Sequence, residues 1–248
     1  MKVIVIIPAA GLGTRMSQSA GPGSKPGSPK QFTEIDGVPI LLHTIRRFTR
    51  MSEVAELYIA LREPETREFA ARLKQETSAD RVHIVEGGEH RQQSVSNALK
   101  SVSASADDVV LVHDAVRPLV EADTIQSVIA AVERHGAAIA GIPAIDTVKQ
   151  VERTAEGAII SSTIPRERVV LAQTPQGFRF ALLQRAFEQA EAEGFIGTDE
   201  ASLVEHLGEE VAVVMGSSRN IKITTPGDLE LAEFFFSHES RRRNSLTG

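Results

Sequence analysis

Val3-Ile4-Val5-Ile6-Ile7-Pro8-Ala9-Ala10-Gly11-Leu12-Gly13-Thr14-Arg15-Met16 follows the first two residues of the chain. Five unbroken β-branched residues run into Pro8 and then into a turn that carries two glycines. A continuous apolar run of this length reads as a strand covered on both faces, as in a parallel sheet. It is too short for the apolar region of a secretory signal and does not end at a small-residue cleavage site. A glycine-containing turn after a first strand lets backbone N–H groups approach phosphate oxygens. The dinucleotide fingerprint G-x-G-x-x-G is incomplete, because Met16 stands where its third glycine belongs, and no G-x-x-x-x-G-K-[ST] pattern is present. The turn carries Arg15 instead and, after a gap, the chain reaches Lys30 in Pro29-Lys30-Gln31. Cations beside such a turn suit a bare triphosphate better than a dinucleotide pyrophosphate. For the turn taken alone, a plain strand-to-helix connection with a surface arginine remains the alternative.

Outward from this stretch, short apolar runs alternate with helical patterns. Leu57–Leu61, Val82–Val85, Val109–Val112 and Ala137–Ile142 read as further buried strands. Between them, Val95, Leu99 and Val102, then Ile125, Val128, Ile129 and Val132, recur at helical spacing, as do Leu183, Ala186, Phe187 and Ala190. Pro39 suits the first turn of a helix that carries Leu41, Leu42, Ile45 and Phe48. The expected fold is α/β, a doubly wound, mostly parallel sheet. One stretch breaks the rhythm. Residues 143–173 hold strand-like pieces (Thr147–Val151, Ala158–Ser162, Val169–Ala172) with no helix between them, which predicts an antiparallel β-arm protruding from the sheet. Ser17–Pro29 is nearly all Ser, Gly and Pro and is expected to be a mobile loop. The organisation predicted is one domain over residues 1–236 and a disordered tail over 237–248, which contains Arg241-Arg242-Arg243.

Composition excludes several classes. At 248 residues the chain lies between one domain and two. Hydrophobic residues at 42% and charged residues at 24% are ordinary for a globular protein, while aromatics at 4% call for an aliphatic core. A net charge of −6 offers no general attraction to nucleic acid or to an anionic membrane, so an anionic ligand must be caught by local positive charge. No apolar run approaches the ~18 residues of a membrane span. Without cysteine there is no disulfide, no thiolate nucleophile and no Cys-based zinc site, which is compatible with a cytoplasmic protein. His43, His83, His113 and His206 show no i, i+4 pairing or H-E-x-x-H spacing, which argues against zinc.

Six further segments succeed the first turn in order: Gly87-Gly88-Glu89-His90-Arg91-Gln92-Gln93-Ser94-Val95, Val112-His113-Asp114-Ala115-Val116-Arg117-Pro118, Asp146-Thr147-Val148-Lys149, Gln173-Thr174-Pro175-Gln176, Thr198-Asp199-Glu200-Ala201-Ser202 and Asn220-Ile221-Lys222-Ile223-Thr224. Together with the opening, they resemble the nucleotidyltransferases, and among these the 2-C-methyl-D-erythritol 4-phosphate cytidylyltransferase family of the non-mevalonate isoprenoid pathway, over about residues 1–236. The resemblance implies attack by a sugar-phosphate oxygen on the α-phosphorus of CTP. It assigns Arg15 and Lys30 to the transition state, and Pro8, Ala9, Ala10, Gly11, Gly13, Gly88, Glu89, Ser94 and Ala115 to the nucleotide. Asp114 would hold Mg²⁺ or another divalent cation. Asp114, Arg117, Thr147, Arg166, Thr198 and Lys222 would meet the substrate, with Arg166 and Lys222 aligning the attacking phosphate. In the family the arm reaches into a neighbouring subunit, which implies a homodimer whose Thr147 and Arg166 serve the partner's site.

Bland readings stand beside these. Asp114 also reads as a turn residue, Arg91 as a surface charge at a helix start, and Arg166 with Arg168 as an exposed charged turn. His113 is not expected to be a base, because the attacking phosphate is already ionised. Two departures from the family stand out. Glu89 occupies a place where Asp is frequent, and the thirteen residues Ser17–Pro29 expand the gap before Lys30. Lys25 is therefore a rival cation, though Pro29-Lys30-Gln31 keeps the motif, and the loop is expected to close over CTP. Other polyol phosphates such as ribitol 5-phosphate are alternative acceptors. An NAD-dependent oxidoreductase is disfavoured by Met16 and by a lone Tyr58 without a Tyr-x-x-x-Lys pair, and a nucleotide-sensing module has no need of every transition-state charge.

Overall fold

The computed structural model describes residues 1–11, 29–76 and 79–246. Gly13, Arg15, Lys25 and the expected loop before Pro29 lie outside the described residues. The opening run is strand β1 (Val3–Pro8). Parallel to it on one side lie β4 (Val54–Leu61) and β5 (Val82–Glu86), and on the other β6 (Val109–Val112). Beyond β6 come β10 (Val170–Arg179), β7 (Ala137–Pro143) and β11 (Ala212–Met215), giving a seven-stranded sheet ordered β11-β7-β10-β6-β1-β4-β5. The glycine turn therefore sits at the carboxyl end of an interior strand. A tight hairpin, β2 (Glu34–Ile35) and β3 (Val38–Pro39), precedes the first helix.

The continuous apolar run of β1 is explained by what covers it. Val3, Val5 and Ile7 pack into one core, while Ile4 and Ile6 pack into a second on the opposite face. The first core is filled by helices α1 (Ile40–Thr49), α2 (Glu63–Leu73) and α4 (Ala122–His135). The second is filled by α3 (Arg91–Ser101), α5 (Phe180–Glu193) and α6 (Glu200–His206). At about 1.5–3 kcal/mol for each fully buried aliphatic side chain, a strand of this kind belongs in the middle layer. A third cluster, with Ile35, Ile40, Val116, Leu119, Ile223 and Ala232, joins α7 (Pro226–Leu246) to the loops at the carboxyl ends of the strands.

The arm is a separate two-stranded antiparallel sheet, β8 (Val148–Thr154) with β9 (Gly157–Ile164). The third piece expected in it, Val169–Ala172, belongs elsewhere. It begins a ten-residue strand, β10, that returns to the main sheet and runs antiparallel between β6 and β7. Thr174-Pro175-Gln176-Gly177 reads locally as a turn, yet it lies inside the sheet. Pairing with β7 shifts register between Ala172 and Gln176, so the proline's missing donor falls where the ladder is already interrupted. Over most of the tail expected from Ser237, α7 continues to Leu246. Glu239 is held by Arg47 at 2.9 Å and by Arg219 at 3.5 Å, contacts that no local pattern announces. Among the described residues no helix is long and apolar enough to cross a membrane.

Candidate active site

A cleft opens at the carboxyl ends of β1, β5 and β6. Its walls are Pro8–Gly11, Lys30 and Gln31, Gly88–Arg91 with Ser94, Asp114–Val116, and Lys222. The first turn is held from behind. Gln31 Nε2 donates to the carbonyls of Ala9 at 2.6 Å and Gly11 at 3.2 Å, and Arg62 Nε donates to that of Ala10 at 2.7 Å. These bonds fix the peptide planes of the turn and tie it to the segment that carries Lys30. Gly87, after β5, packs directly against Ala10, where an added Cβ would collide with the Ala10 methyl. The next two backbone N–H groups are bound by side chains of α3, Gly88 to Ser94 Oγ at 3.0 Å and Glu89 to Gln93 Oε1 at 2.9 Å.

Opposite the turn, Asp114 follows β6 and is the centre of a charge cluster. Its Oδ1 faces Arg91 Nε at 3.4 Å, and its Oδ2 faces Arg117 Nε at 3.1 Å and Lys222 Nζ at 3.0 Å. Burial opposes its ionisation, but Arg91, Lys222 and Arg117 overcome that and hold its carboxyl well below the usual carboxylate range. Arg91 in turn donates from Nη1 and Nη2 to both oxygens of Glu200, at 2.7 and 2.9 Å. Burial works against the charge on Arg91, and the two carboxylates outweigh it, so its pKa is raised. Burial pushes the Glu200 carboxyl up against the pull of Arg91. With both of its oxygens accepting from one guanidinium, the pair is charged.

Behind Asp114 lies a buried polar relay. The Asp114 N–H donates to Thr174 Oγ1 at 3.0 Å, and Thr174 Oγ1 meets His113 Nδ1 at 3.1 Å. His113 Nε2 lies 3.1 Å from the carbonyl of Arg117. A carbonyl can only accept, so Nε2 carries the proton, and Nδ1 accepts from the Thr174 hydroxyl. Burial lowers the pKa of His113 to about 4, in keeping with this neutral tautomer. Asn220 closes the relay by donating to the Thr174 carbonyl at 2.7 Å, and Ile223 N–H donates to the Val116 carbonyl at 2.9 Å. These two bonds set the segment on which Lys222 stands.

The structure thus brings Pro8, Ala9, Ala10, Gly11, Lys30, Gly88, Glu89, Ser94, Asp114, Ala115 and Lys222 to one cleft. Arg117 belongs behind it. Its guanidinium is buried, donating to Asp114 and, at 2.7 Å, to the Asn220 carbonyl, so it braces Asp114 rather than facing a ligand. Thr147 and Arg166 are not among the residues lining this cleft. Arg166 lies at the base of the arm and donates to the Ile145 carbonyl at 2.9 Å. Thr198 is exposed beside the Asp199 cap of α6. Sequence reasoning assigns no role to Gln31, Thr174 or Glu200. The usable signal is their position inside the quoted motifs, whereas their partners are far off in the chain. Among the described residues, no group of three His, Asp or Glu side chains is disposed to hold a metal.

A cleft of this kind, with a glycine turn, Lys30 and Lys222 around Asp114 at the strand ends of a mostly parallel sheet, suits a nucleotidyltransferase. The chain belongs to the 2-C-methyl-D-erythritol 4-phosphate cytidylyltransferase family, whose model matches residues 3–238. It is 57% identical over 242 residues to the enzyme of that name from Acidobacterium capsulatum, covering 98% of this chain and all of its relative. It is 51% identical to the one from Solibacter usitatus, covering 98% of each chain. In three dimensions it is similar to the crystal structure of the Francisella tularensis cytidylyltransferase, with a TM-score of 0.78 at 34% identity, covering 94% of this chain and 99% of that one.

Proposed function

We propose that this chain transfers the cytidylyl group of CTP to 2-C-methyl-D-erythritol 4-phosphate, a step in isoprenoid precursor synthesis that we place in the cytoplasm. A phosphate oxygen of the acceptor attacks the α-phosphorus, a new P–O bond forms, and the bond to the β-phosphate breaks with release of pyrophosphate. Both reactants are anions, so the protein's contribution is alignment and charge stabilisation. The observation that carries this reading is the convergence of the first turn, Lys30 and Lys222 on one cleft beside Asp114. The turn and the Gly88–Glu89 backbone take the nucleotide. Lys30, with Arg15, stabilises charge at the α-phosphate, and Lys222 holds the acceptor phosphate in line. His113, neutral and enclosed, moves no proton in this step.

Mg²⁺ fits this site as a cation carried mainly by the triphosphate. Asp114 is an ionised, hard oxygen donor, but both its oxygens already accept from cations, so the chain offers one carboxylate rather than a cage. When bound, the metal neutralises phosphate charge. The arm supports a homodimer. Its hairpin exposes Val151, Ile159 and Ile160 and has no core of its own, and Thr147 and Arg166 at its base would complete the partner's cleft.

Pyrophosphate release tests the reaction, with CTP, Mg²⁺ and either methylerythritol phosphate or ribitol 5-phosphate. Release only with ribitol 5-phosphate would overturn the assignment of acceptor. Mixing Arg166→Ala and Lys222→Ala subunits tests the arm. If each site takes Arg166 from its partner, the mixture regains activity that neither variant has alone, and no recovery refutes the shared site.

A further inference from the structure

We propose that Glu200 is a positioning residue for the transfer: through Arg91 it holds the Asp114 carboxylate, and with it the Lys222 ammonium, in place across the cleft. The inference rests on the reaction proposed above and adds a residue that touches neither substrate. Glu200 is 1% exposed and does not line the cleft, whereas Arg91 does. Its carboxylate takes the whole fork of Arg91, Nη1 and Nη2, leaving Nε to face Asp114 Oδ1. Asp114 Oδ2 then faces Lys222. The result is a row of alternating charges, Glu200, Arg91, Asp114 and Lys222, that runs from the protein interior to the cleft. Without Glu200, the fork of Arg91 is free to turn onto Asp114 or onto a phosphate, and Asp114 loses the restraint on Oδ1.

Stability does not explain the pair. Burying a carboxylate carries a large desolvation cost, and an apolar pair of equal volume often serves a core as well or better. What an apolar pair cannot do is fix a guanidinium against Asp114. Glu200 is itself rigidly placed. It opens α6 directly after Asp199, whose carboxylate accepts from Ser202 N–H at 3.0 Å and from Gln176 Nε2 at 2.7 Å. Gln176, buried in β10, also accepts from Ala201 N–H at 3.0 Å, so the start of the helix is anchored to the central sheet on both sides of Glu200.

The test compares Glu200→Gln, Arg91→Gln and the double variant in the full chain, by pyrophosphate release with CTP, methylerythritol phosphate and Mg²⁺. Glutamine keeps the volume but sets its amide donor against the guanidinium. The expected fall in kcat for Glu200→Gln is on the order of 10–100-fold, the usual cost of losing an outer partner of a site residue. KM for CTP should move far less. Because Glu200 acts through Arg91, the double variant should be no slower than Arg91→Gln alone. Losses that multiply in the double variant, or a kcat for Glu200→Gln near that of the wild type, overturn the proposal. If Glu200→Gln does not fold, Arg91→Lys replaces it. Lysine keeps the charge but cannot span Glu200 and Asp114, so the same deficit in kcat is expected, and an undiminished kcat overturns the proposal. A wild type that releases no pyrophosphate defeats the reaction itself and this inference with it. Normal wild-type turnover with independent losses defeats only the positioning role.

Discussion

Thr174→Val probes the relay behind the aspartate of the cleft. Valine matches threonine in shape and replaces only the hydroxyl by a methyl. Thr174 is 5% exposed, and its Oγ1 serves two partners that are themselves buried. It accepts from the Asp114 N–H at 3.0 Å and donates to His113 Nδ1 at 3.1 Å. The substitution leaves one donor and one acceptor without partners, each costing about 1–3 kcal/mol, so the expected destabilisation is about 2–6 kcal/mol. For a chain of this length, 3 kcal/mol corresponds to a fall in Tm of roughly 6–12 °C. Differential scanning calorimetry of Thr174→Val and Thr174→Ser decides the matter. Serine keeps the hydroxyl and loses one methyl, so it should cost only about 1 kcal/mol. If the two variants melt together, the hydroxyl is not what holds the loop, and the proton order assigned to His113 is wrong.

Lys222→Ala should bind CTP nearly normally, by calorimetry without acceptor, and turn over on the order of 10²–10³-fold more slowly, as when one transition-state donor is removed. A collapse of both CTP affinity and Tm would instead make Lys222 structural. His113 gives the protein an acid limit. It is neutral in both folded and unfolded chains above its ordinary value of 6.5, and below that the unfolded chain takes up a proton that the folded one refuses until about 4. Stability should therefore fall by up to about 3 kcal/mol across that window as pH drops. In His113→Gln the slope of Tm against pH should flatten, and an unchanged slope would refute the assignment. Gly87→Ala places a methyl against Ala10 in the first turn, and should cost about 1–3 kcal/mol by overpacking while raising KM for CTP. Unaltered KM would mean that the first turn does not contact the nucleotide.

Much of the fold is legible in one dimension because each part of it is a local pattern. Val109–Val112 is apolar at every position and forms β6, and the spacing of Ile125, Val128, Ile129 and Val132 is the buried stripe of α4. β10 is not legible in this way. Thr174-Pro175-Gln176-Gly177 has the residues of a turn, and only its neighbours β6 and β7 make it a strand. The contacts of Glu239 are likewise not local, because Arg47 and Arg219 reach it from distant parts of the chain.

The site divides along the same line. The glycine turn, Lys30, Asp114 and Lys222 stand out in the sequence, because each lies in a short motif that carries the family resemblance. It takes the packed fold to show that Arg117 braces Asp114 from behind, that Arg91 is a bridge rather than a surface charge, and that Glu200 is its partner. The bridging role of Arg91 comes from charges 109 and 23 positions away meeting it within hydrogen-bond reach, and Arg117, close to Asp114 in sequence, is turned onto it by the Asn220 carbonyl 103 positions on. Whether an arginine faces solvent, substrate or carboxylate depends on which strand ends the sheet order sets side by side. Here the carboxyl ends of β1, β5 and β6 meet at one end of the sheet, with Thr174 of the antiparallel β10 behind Asp114, and residue types alone do not encode that order.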